Sequence, residues 1–322
     1  MSEAEDKPAV LIARRLLPAG RDRLAARCEL REGGLDATPG DLLALAHGVT
    51  AIVADPTVPV GDALLDAAGE SLEVVANYAV GYDNVDLAAC RRRGVVVTNT
   101  PGVLTNATAE LALALTLAAA RLINGAEAEL RAGRWGGWDP GDLLGLELSG
   151  ATFGVVGMGR IGRRYGELVS GFDGRILYAS PSPRPEVEEE LGASRVSMDE
   201  LLAGSDVVSL HAPATPETDR MISTPQLEAM GQHAVLVNTS RGMLVDSEAL
   251  ARALAEGTIG AAGLDVYENE PEVPRQLLGA PRCVLLPHIG SATTRARNAM
   301  AELVADNVLA VLGGAEPPNR VG

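Results

Sequence analysis

Between Thr152 and Phe172 a strand-like stretch, Thr152–Val156, runs directly into Gly157-Met158-Gly159-Arg160-Ile161-Gly162 and then into a helix-like stretch, Arg160–Phe172. Few folds accept that succession. The first glycine permits a tight turn, the second lets the backbone approach a bound group, and the third lets the helix lie close on the strand. The N–H groups of Gly159 to Gly162 then face outward at a helix N-terminus, where they suit a pyrophosphate. Gly157, Met158, Gly159, Arg160, Ile161 and Gly162 are therefore candidate dinucleotide contacts. A plain strand-turn-helix and a methyltransferase-type glycine loop are the other readings of the same residues.

A strand-turn-helix of this kind implies a parallel sheet, and the rest of the chain repeats the pattern. Strand-like runs occur at 8–13, 51–54, 72–76 and 95–98, with helical patterns at 41–47 and 62–68 between them. After the glycine turn, further strands are expected at 175–179, 207–211, 234–238, 259–265 and 283–285, and a closing helix at 291–312. Alternation of strand and helix gives doubly wound α/β layers. A length of 322 residues fits two such domains. Aromatic residues are only 3 %, so the cores must be built from Val, Leu, Ile and Ala. Residues 105–122 read as one helix, apolar on almost every face and therefore buried between domains or subunits. The Gly/Trp/Pro-rich stretch 133–150 reads as a connecting loop, and the last helix could pack on either domain.

Charge narrows the partners. Asp and Glu number 43 against 27 Lys and Arg, a net charge of −16. Such a surface disfavours nucleic acid and anionic membranes. The first residues are acidic and show no leader pattern, and no apolar run has membrane-spanning length. Cys28, Cys90 and Cys283 lie far apart, with no metal-ligand spacing, and read as reduced thiols in a cytoplasmic protein. No metal is expected. The sole lysine, Lys7, lies near the chain start, which argues against Schiff-base chemistry.

The strand after the glycine turn should end on the residue that reads the adenosine ribose. An Asp or Glu there would hold a 2′-hydroxyl. The chain instead has Ser180-Pro181-Ser182-Pro183-Arg184. Ser180, Ser182 and Arg184 suit a 2′-phosphate, so NADP is favoured over NAD. Further on, Asn238–Gly242, Leu264–Pro271 and Leu286–Ser291 each follow an expected strand end, where open α/β sheets bind ligands. These segments bring an Arg, a Glu and a His toward one edge. Arg241 can hold a carboxylate in two-point fashion. His288 can exchange a proton near neutrality. Glu270 can orient that ring and favour imidazolium. A cation for a carboxylate, a proton donor for a carbonyl and a hydride carrier together describe reduction of a 2-keto acid.

These motifs resemble the D-isomer-specific 2-hydroxyacid dehydrogenases, over nearly the whole chain. They are the 155–162 turn, 238–242 with its Arg, 264–271 ending in Glu-Pro, and Pro287-His288-Ile289-Gly290-Ser291. Within the family, 177–185, Trp138 and 288–300 look most like glyoxylate/hydroxypyruvate reductases. The resemblance implies a Rossmann cofactor domain, 101–289, inserted into a flavodoxin-like substrate domain, 1–100 plus 290–322, with substrate in the cleft. It implies Arg241, Glu270 and His288 as the catalytic set. Val80 and Gly81 match the loop whose N–H groups bind the substrate carboxylate, and Ser291 and Trp138 are also assigned to substrate. Thr108, His211, Thr239, Asp265 and Gly290 are assigned to the cofactor. A homodimer is implied, with the 105–122 helix at its interface, where Trp135 and Trp138 either pack or touch substrate. Pro181 stands where a first 2′-phosphate arginine would be. Two other readings stay open: a dehydrogenase of a bulkier 2-hydroxy acid or of 3-phosphoglycerate, and a dinucleotide-sensing, co-repressor-like binding protein.

Overall fold

The computed structural model describes residues 7–322; the acidic start, 1–6, lies outside the described residues. The strands are β1 (Ala9–Ile12), β2 (Glu29–Glu32), β3 (Ala51–Ala54), β4 (Val74–Asn77), β5 (Val96–Thr98), β6 (Thr152–Val156), β7 (Arg175–Ala179), β8 (Ser194–Arg195), β9 (Val207–Leu210), β10 (Val235–Asn238), β11 (Ala261–Leu264), β12 (Cys283–Leu285) and β13 (Arg320–Val321). They form two sheets, ordered β13-β5-β4-β3-β1-β2 and β12-β11-β10-β9-β6-β7-β8. The chain divides into two compact units. One takes residues up to Leu104 together with Ser291–Gly322, and the other is Thr105–Gly290. The sequence reading expects the breaks after 100 and before 290; the units part after Leu104 and before Ser291.

The first unit has the flavodoxin-type order, with the reversal between β1 and β3. Its strands are parallel except for β13, which pairs antiparallel with β5. Side chains alternate between two cores. Leu11, Ile52 and Val75 go to one face, and Val10, Ile12, Val53 and Val74 to the other. The C-terminal helix, Thr294–Leu312, packs in this unit through Ala301, Val304, Ala305 and Val308. It crosses the helix Pro18–Ala25 so closely that a Cβ on Gly20 would lie 2.1 Å from the carbonyl oxygen of Ala301.

The second unit has the Rossmann order 3-2-1-4-5-6, read as β8-β7-β6-β9-β10-β11, with β12 added at the far edge. All its pairings are parallel. The strand order reverses between β6 and β9, next to the glycine turn. One register line, Ala179–Val156–Leu210–Asn238–Leu264–Leu285, marks the carboxyl ends of six neighbouring strands. The apolar helix starts at Thr105 as expected but stops at Ala120, not at 122. Leu122 takes a left-handed φ of 53°, and a second helix, Ile123–Arg131, leaves at 64°. Ala109, Ala112, Leu115 and Ala119 are buried in this unit's own core, and Leu115 fills the space left by Gly263 on β11. For these side chains the burial comes from the unit's own core rather than from the expected contact between domains or subunits. Among the described residues no single helix is long and apolar enough to cross a membrane, although this bent pair passes by length and composition.

Candidate active site

The glycine turn has the shape its sequence predicts. Gly157 has φ +93°, a left-handed value that an L side chain resists. A Cβ there would also meet the backbone of His211 and Ala212 at 2.7 Å. A Cβ on Gly162 would lie 2.2 Å from the Gly157 carbonyl oxygen. Gly159 differs. Its φ and ψ of −82° and −165° suit any residue, and its Cβ would meet nothing within 4 Å. Packing and backbone geometry explain the first and third glycines but not the second, whose cradle a side chain would fill. That space lies at the start of the helix Arg160–Val169. None of the N–H groups of Gly159, Arg160, Ile161 and Gly162 finds an acceptor among the described residues. Both observations fit a bound pyrophosphate. The Met158 side chain is buried in the core, so only its backbone faces the turn.

The ribose end is less regular. Ser180 is half-buried, Ser182 is exposed, and Arg184 is half-buried with its Nε enclosed and unpartnered. The Arg184 backbone N–H donates to the Tyr178 hydroxyl at 2.8 Å. His211, at the end of β9, turns its ring inward. It shares a 2.9 Å hydrogen bond with the Ser209 hydroxyl and lies against the Tyr165 ring. Burial pushes its pKa down to about 3, so the ring is neutral. Its place against Gly157 makes it a shaping residue for the turn. Thr239 is buried, and its hydroxyl has no partner, which suits a ligand atom.

Three adjacent strand ends build the catalytic edge. After β10, the Asn238 side chain donates to the Arg241 carbonyl at 2.8 Å and accepts from the Ser240 N–H at 3.0 Å. Arg241 Nη1 donates to the Ser240 carbonyl at 2.9 Å. Gly242 follows, and a Cβ on it would sit 1.8 Å from the Tyr267 carbonyl carbon. That glycine lets the Arg241 segment lie against the segment that follows β11. Tyr267 then ties the second segment to the third. Its N–H donates to Glu270 Oε1 at 3.0 Å, and its hydroxyl donates to the Leu286 carbonyl at 2.9 Å. Past β12, His288 has a left-handed φ of 52°. Its Nδ1 lies 2.6 Å from Glu270 Oε2.

Asp265 holds the histidine loop in place. It is fully buried, and its two oxygens accept the N–H groups of Ile289 and Gly290 at 2.7 Å each. Its carbonyl accepts the His288 N–H at 2.9 Å. The sequence reading assigns Asp265 to the cofactor; in the structure its carboxylate organises the His288 loop. Thr108 is buried and donates to the Gly290 carbonyl at 3.3 Å, so it too braces that loop. Glu270 is subject to opposing effects. Burial raises its pKa, but the His288 hydrogen bond and charge, the Tyr267 N–H and the Arg241 charge outweigh it and hold the carboxyl below its usual range. The sequence reading missed Tyr267 and Gly242, although a glycine directly after a strand-end arginine was a visible sign of close approach.

The remaining assigned residues belong to the first unit. The Val80 carbonyl accepts from Asn99 at 2.8 Å and the Gly81 carbonyl from Asn77 at 2.7 Å. The N–H groups of Val80 and Gly81 have no acceptor among the described residues. Ser291 is half-buried at the start of the C-terminal segment. Trp138, in the second unit, is 84 % exposed.

A family profile described as "D-isomer specific 2-hydroxyacid dehydrogenase, NAD binding domain" matches residues 113–290. The chain is 46 % identical over 321 residues to a glyoxylate reductase of Thermococcus litoralis, covering 98 % of this chain and 97 % of that one. The chain belongs to the D-isomer-specific 2-hydroxyacid dehydrogenases. This 2-hydroxyacid dehydrogenase is an oxidoreductase with a nicotinamide-dinucleotide-binding domain, as its motifs imply. Solved structures are similar as well. A NADPH-dependent glyoxylate/hydroxypyruvate reductase from Sinorhizobium meliloti, in complex with NADP and malonate, superposes with a TM-score of 0.86 at 37 % identity, covering 98 % of this chain and 97 % of that one. A glyoxylate reductase from Paecilomyes thermophila gives 0.87 at 35 %, covering 98 % of each.

Proposed function

We propose that this dehydrogenase reduces glyoxylate to glycolate, or hydroxypyruvate to the D-2-hydroxy acid, with NADPH preferred to NADH. The observation that carries the chemistry is the 2.6 Å contact between His288 Nδ1 and Glu270 Oε2. With Nδ1 held by a carboxylate, Nε2 is the nitrogen left to meet substrate. When bound, the dinucleotide supplies the hydride. Arg241 holds the substrate carboxylate and so fixes which face of the carbonyl is presented. His288 gives a proton to the carbonyl oxygen as it becomes a hydroxyl, and the ionised Glu270 stabilises the charged ring before that transfer. In the reverse direction His288 Nε2 takes the hydroxyl proton. Val80, Gly81 and Ser291 belong to the same proposal on sequence resemblance alone.

The cofactor preference rests on the end of β7, where Ser180, Ser182 and Arg184 stand in place of an acid. Gly157 to Gly162 and Thr239 would hold the rest of the dinucleotide. We assign the chain to the cytoplasm and to a homodimer. The supporting feature for the dimer is a run of exposed apolar side chains, Ile123, Leu130, Trp135, Trp138, Leu143 and Leu144. Trp138 is assigned to narrowing the neighbouring copy's substrate site. A kinetic matrix of glyoxylate, hydroxypyruvate, larger 2-keto acids and 3-phosphohydroxypyruvate against NADPH and NADH tests the function. Highest kcat/KM for the two small acids with NADPH is expected. Turnover of only the larger acids, or cofactor binding without any turnover, would overturn it.

A further inference from the structure

A 2′-phosphate is a dianion, and the helix that follows Arg184, Pro185–Leu191, carries Glu186, Glu188, Glu189 and Glu190. One arginine beside four carboxylates makes a weak anion site. The tertiary structure brings in a second arginine that lies outside the 180–184 segment. Arg195 ends the edge strand β8, which runs parallel to β7 with Arg195 opposite Tyr178. It therefore stands at the same carboxyl edge as Ser180. Its side chain folds over the loop. Nε donates to the Ser180 carbonyl at 3.2 Å, and Nη2 donates to the Ser180 and Pro181 carbonyls at 3.0 and 2.9 Å. Among the described residues neither Arg184 nor Arg195 forms an ion pair, whereas nearby Arg163 is paired with Glu167 and Glu190. Tyr178 links the two arginines. Its strand position pairs with Arg195, its hydroxyl receives the Arg184 N–H, and the same hydroxyl donates to Glu188.

We propose that Arg195 is a specificity-determining residue for the adenosine 2′-phosphate, pinning the Ser180–Pro181 loop by its carbonyls and supplying the second positive charge beside Arg184. The proposal rests on the NADP reading above. Arg195 also lines an open groove of about 410 Å³ with Val196, Ser197 and Glu200. The Glu200 carboxylate there accepts the Ser197 N–H and hydroxyl at 2.9 and 2.7 Å. That acid disfavours a phosphate in the groove and leaves the Ser180 side as the anion's place.

The test is equilibrium titration of the full-length protein with NADPH, NADH and adenosine 2′,5′-bisphosphate, for wild type, Arg195→Gln, Arg195→Lys and Arg184→Gln. Glutamine keeps a donor for the loop carbonyls but removes the charge. Loss of one charge-assisted contact should raise the Kd for NADPH about tenfold in Arg195→Gln, with NADH changed less than about twofold. Arg195→Lys should keep most of the preference. Equal weakening of both nucleotides by the Gln or the Lys variant would mean that Arg195 only shapes the loop, and no change would mean that it has no role. Either result overturns the proposal. If Arg184→Gln alone loses NADPH, the NADP reading stands without Arg195. If the wild type binds NADPH no more tightly than NADH and ignores the bisphosphate, both fall.

Discussion

Replacing each glycine of the Gly157–Gly162 turn by alanine separates fold from ligand. Gly162→Ala drives a methyl against a backbone oxygen 2.2 Å away, with Val155 Cγ1 at 3.1 Å behind it. Backbone cannot step aside, so a loss of about 1–3 kcal/mol is expected. Gly157→Ala forces φ +93° on an L residue and meets backbone at 2.7 Å, with a similar cost of about 1–3 kcal/mol. In a unit the size of Thr105–Gly290, each kcal/mol lowers Tm by about 2–4 °C. Gly159→Ala has an allowed backbone and open space, and it removes freedom from the unfolded chain. It should leave Tm unchanged or add about 0.4–1 kcal/mol. Its methyl would occupy the place meant for the pyrophosphate. Losing one of the N–H contacts to that anion costs about 1.5–3 kcal/mol, a rise in Kd of about 10- to 100-fold for NADPH and NADH alike. Thermal melts without nucleotide and fluorescence titrations with each nucleotide read the two effects separately. A Gly159→Ala protein that binds normally would make the cradle mere solvent space, and one that melts as low as Gly162→Ala would mean that the open space is misjudged. Either result refutes the assignment of the turn.

Three further outcomes follow from the catalytic edge and its neighbours. His288→Ala should lose about 10²–10⁴-fold in kcat while the dinucleotide Kd stays within about twofold; stopped-flow turnover at saturating cofactor checks it, and unchanged turnover removes His288 from the mechanism. Glu270→Gln should lower kcat by on the order of a hundredfold through lost ring orientation. Because the folded-state pKa of Glu270 is depressed, its stabilising contribution is present above the ordinary carboxylate range and lost as pH falls through the folded value. Denaturant melts should therefore show a wild-type advantage over Glu270→Gln that shrinks as pH falls through the carboxylate range; an advantage that grows there would contradict the sign. His211 is also depressed, to about 3, so its contribution is full above about pH 6.5 and is lost as pH falls from there toward 3. Between pH 7 and 5 this amounts to at most about 2 kcal/mol, and His211→Gln should show a flatter stability profile over that range in the same melts.

The residues that reached the sequence reading are those whose environment repeats along the chain. β1, β3, β6, β9 and β10 are buried on both faces, and their apolar runs announce them. Of the edge strands, β12 was legible as an apolar run, but β2 and β8 were not. β2 is Glu-Leu-Arg-Glu with every residue at least partly exposed, and β8 is the exposed pair Ser194-Arg195. At an edge one flank has no partner and little apolar burial is needed, so charge replaces pattern.

The same division runs through the site. The sequence alone determined the glycine turn, the strand-end positions of Arg241, Glu270 and His288, and the absence of an acid after β7. Each of those is a local consequence of a strand ending and a backbone turning. Only the tertiary structure decided that Asp265 holds the Ile289 and Gly290 N–H groups, and that Tyr267 braces Glu270. Arg195 is the sharpest case. It lies 15 residues from Ser180 along the chain, and its guanidinium reaches the Ser180 carbonyl only because β8 pairs with β7. Sheet pairing puts residues together by register, and register across strands is set by packing of the whole layer, which no local stretch of sequence records.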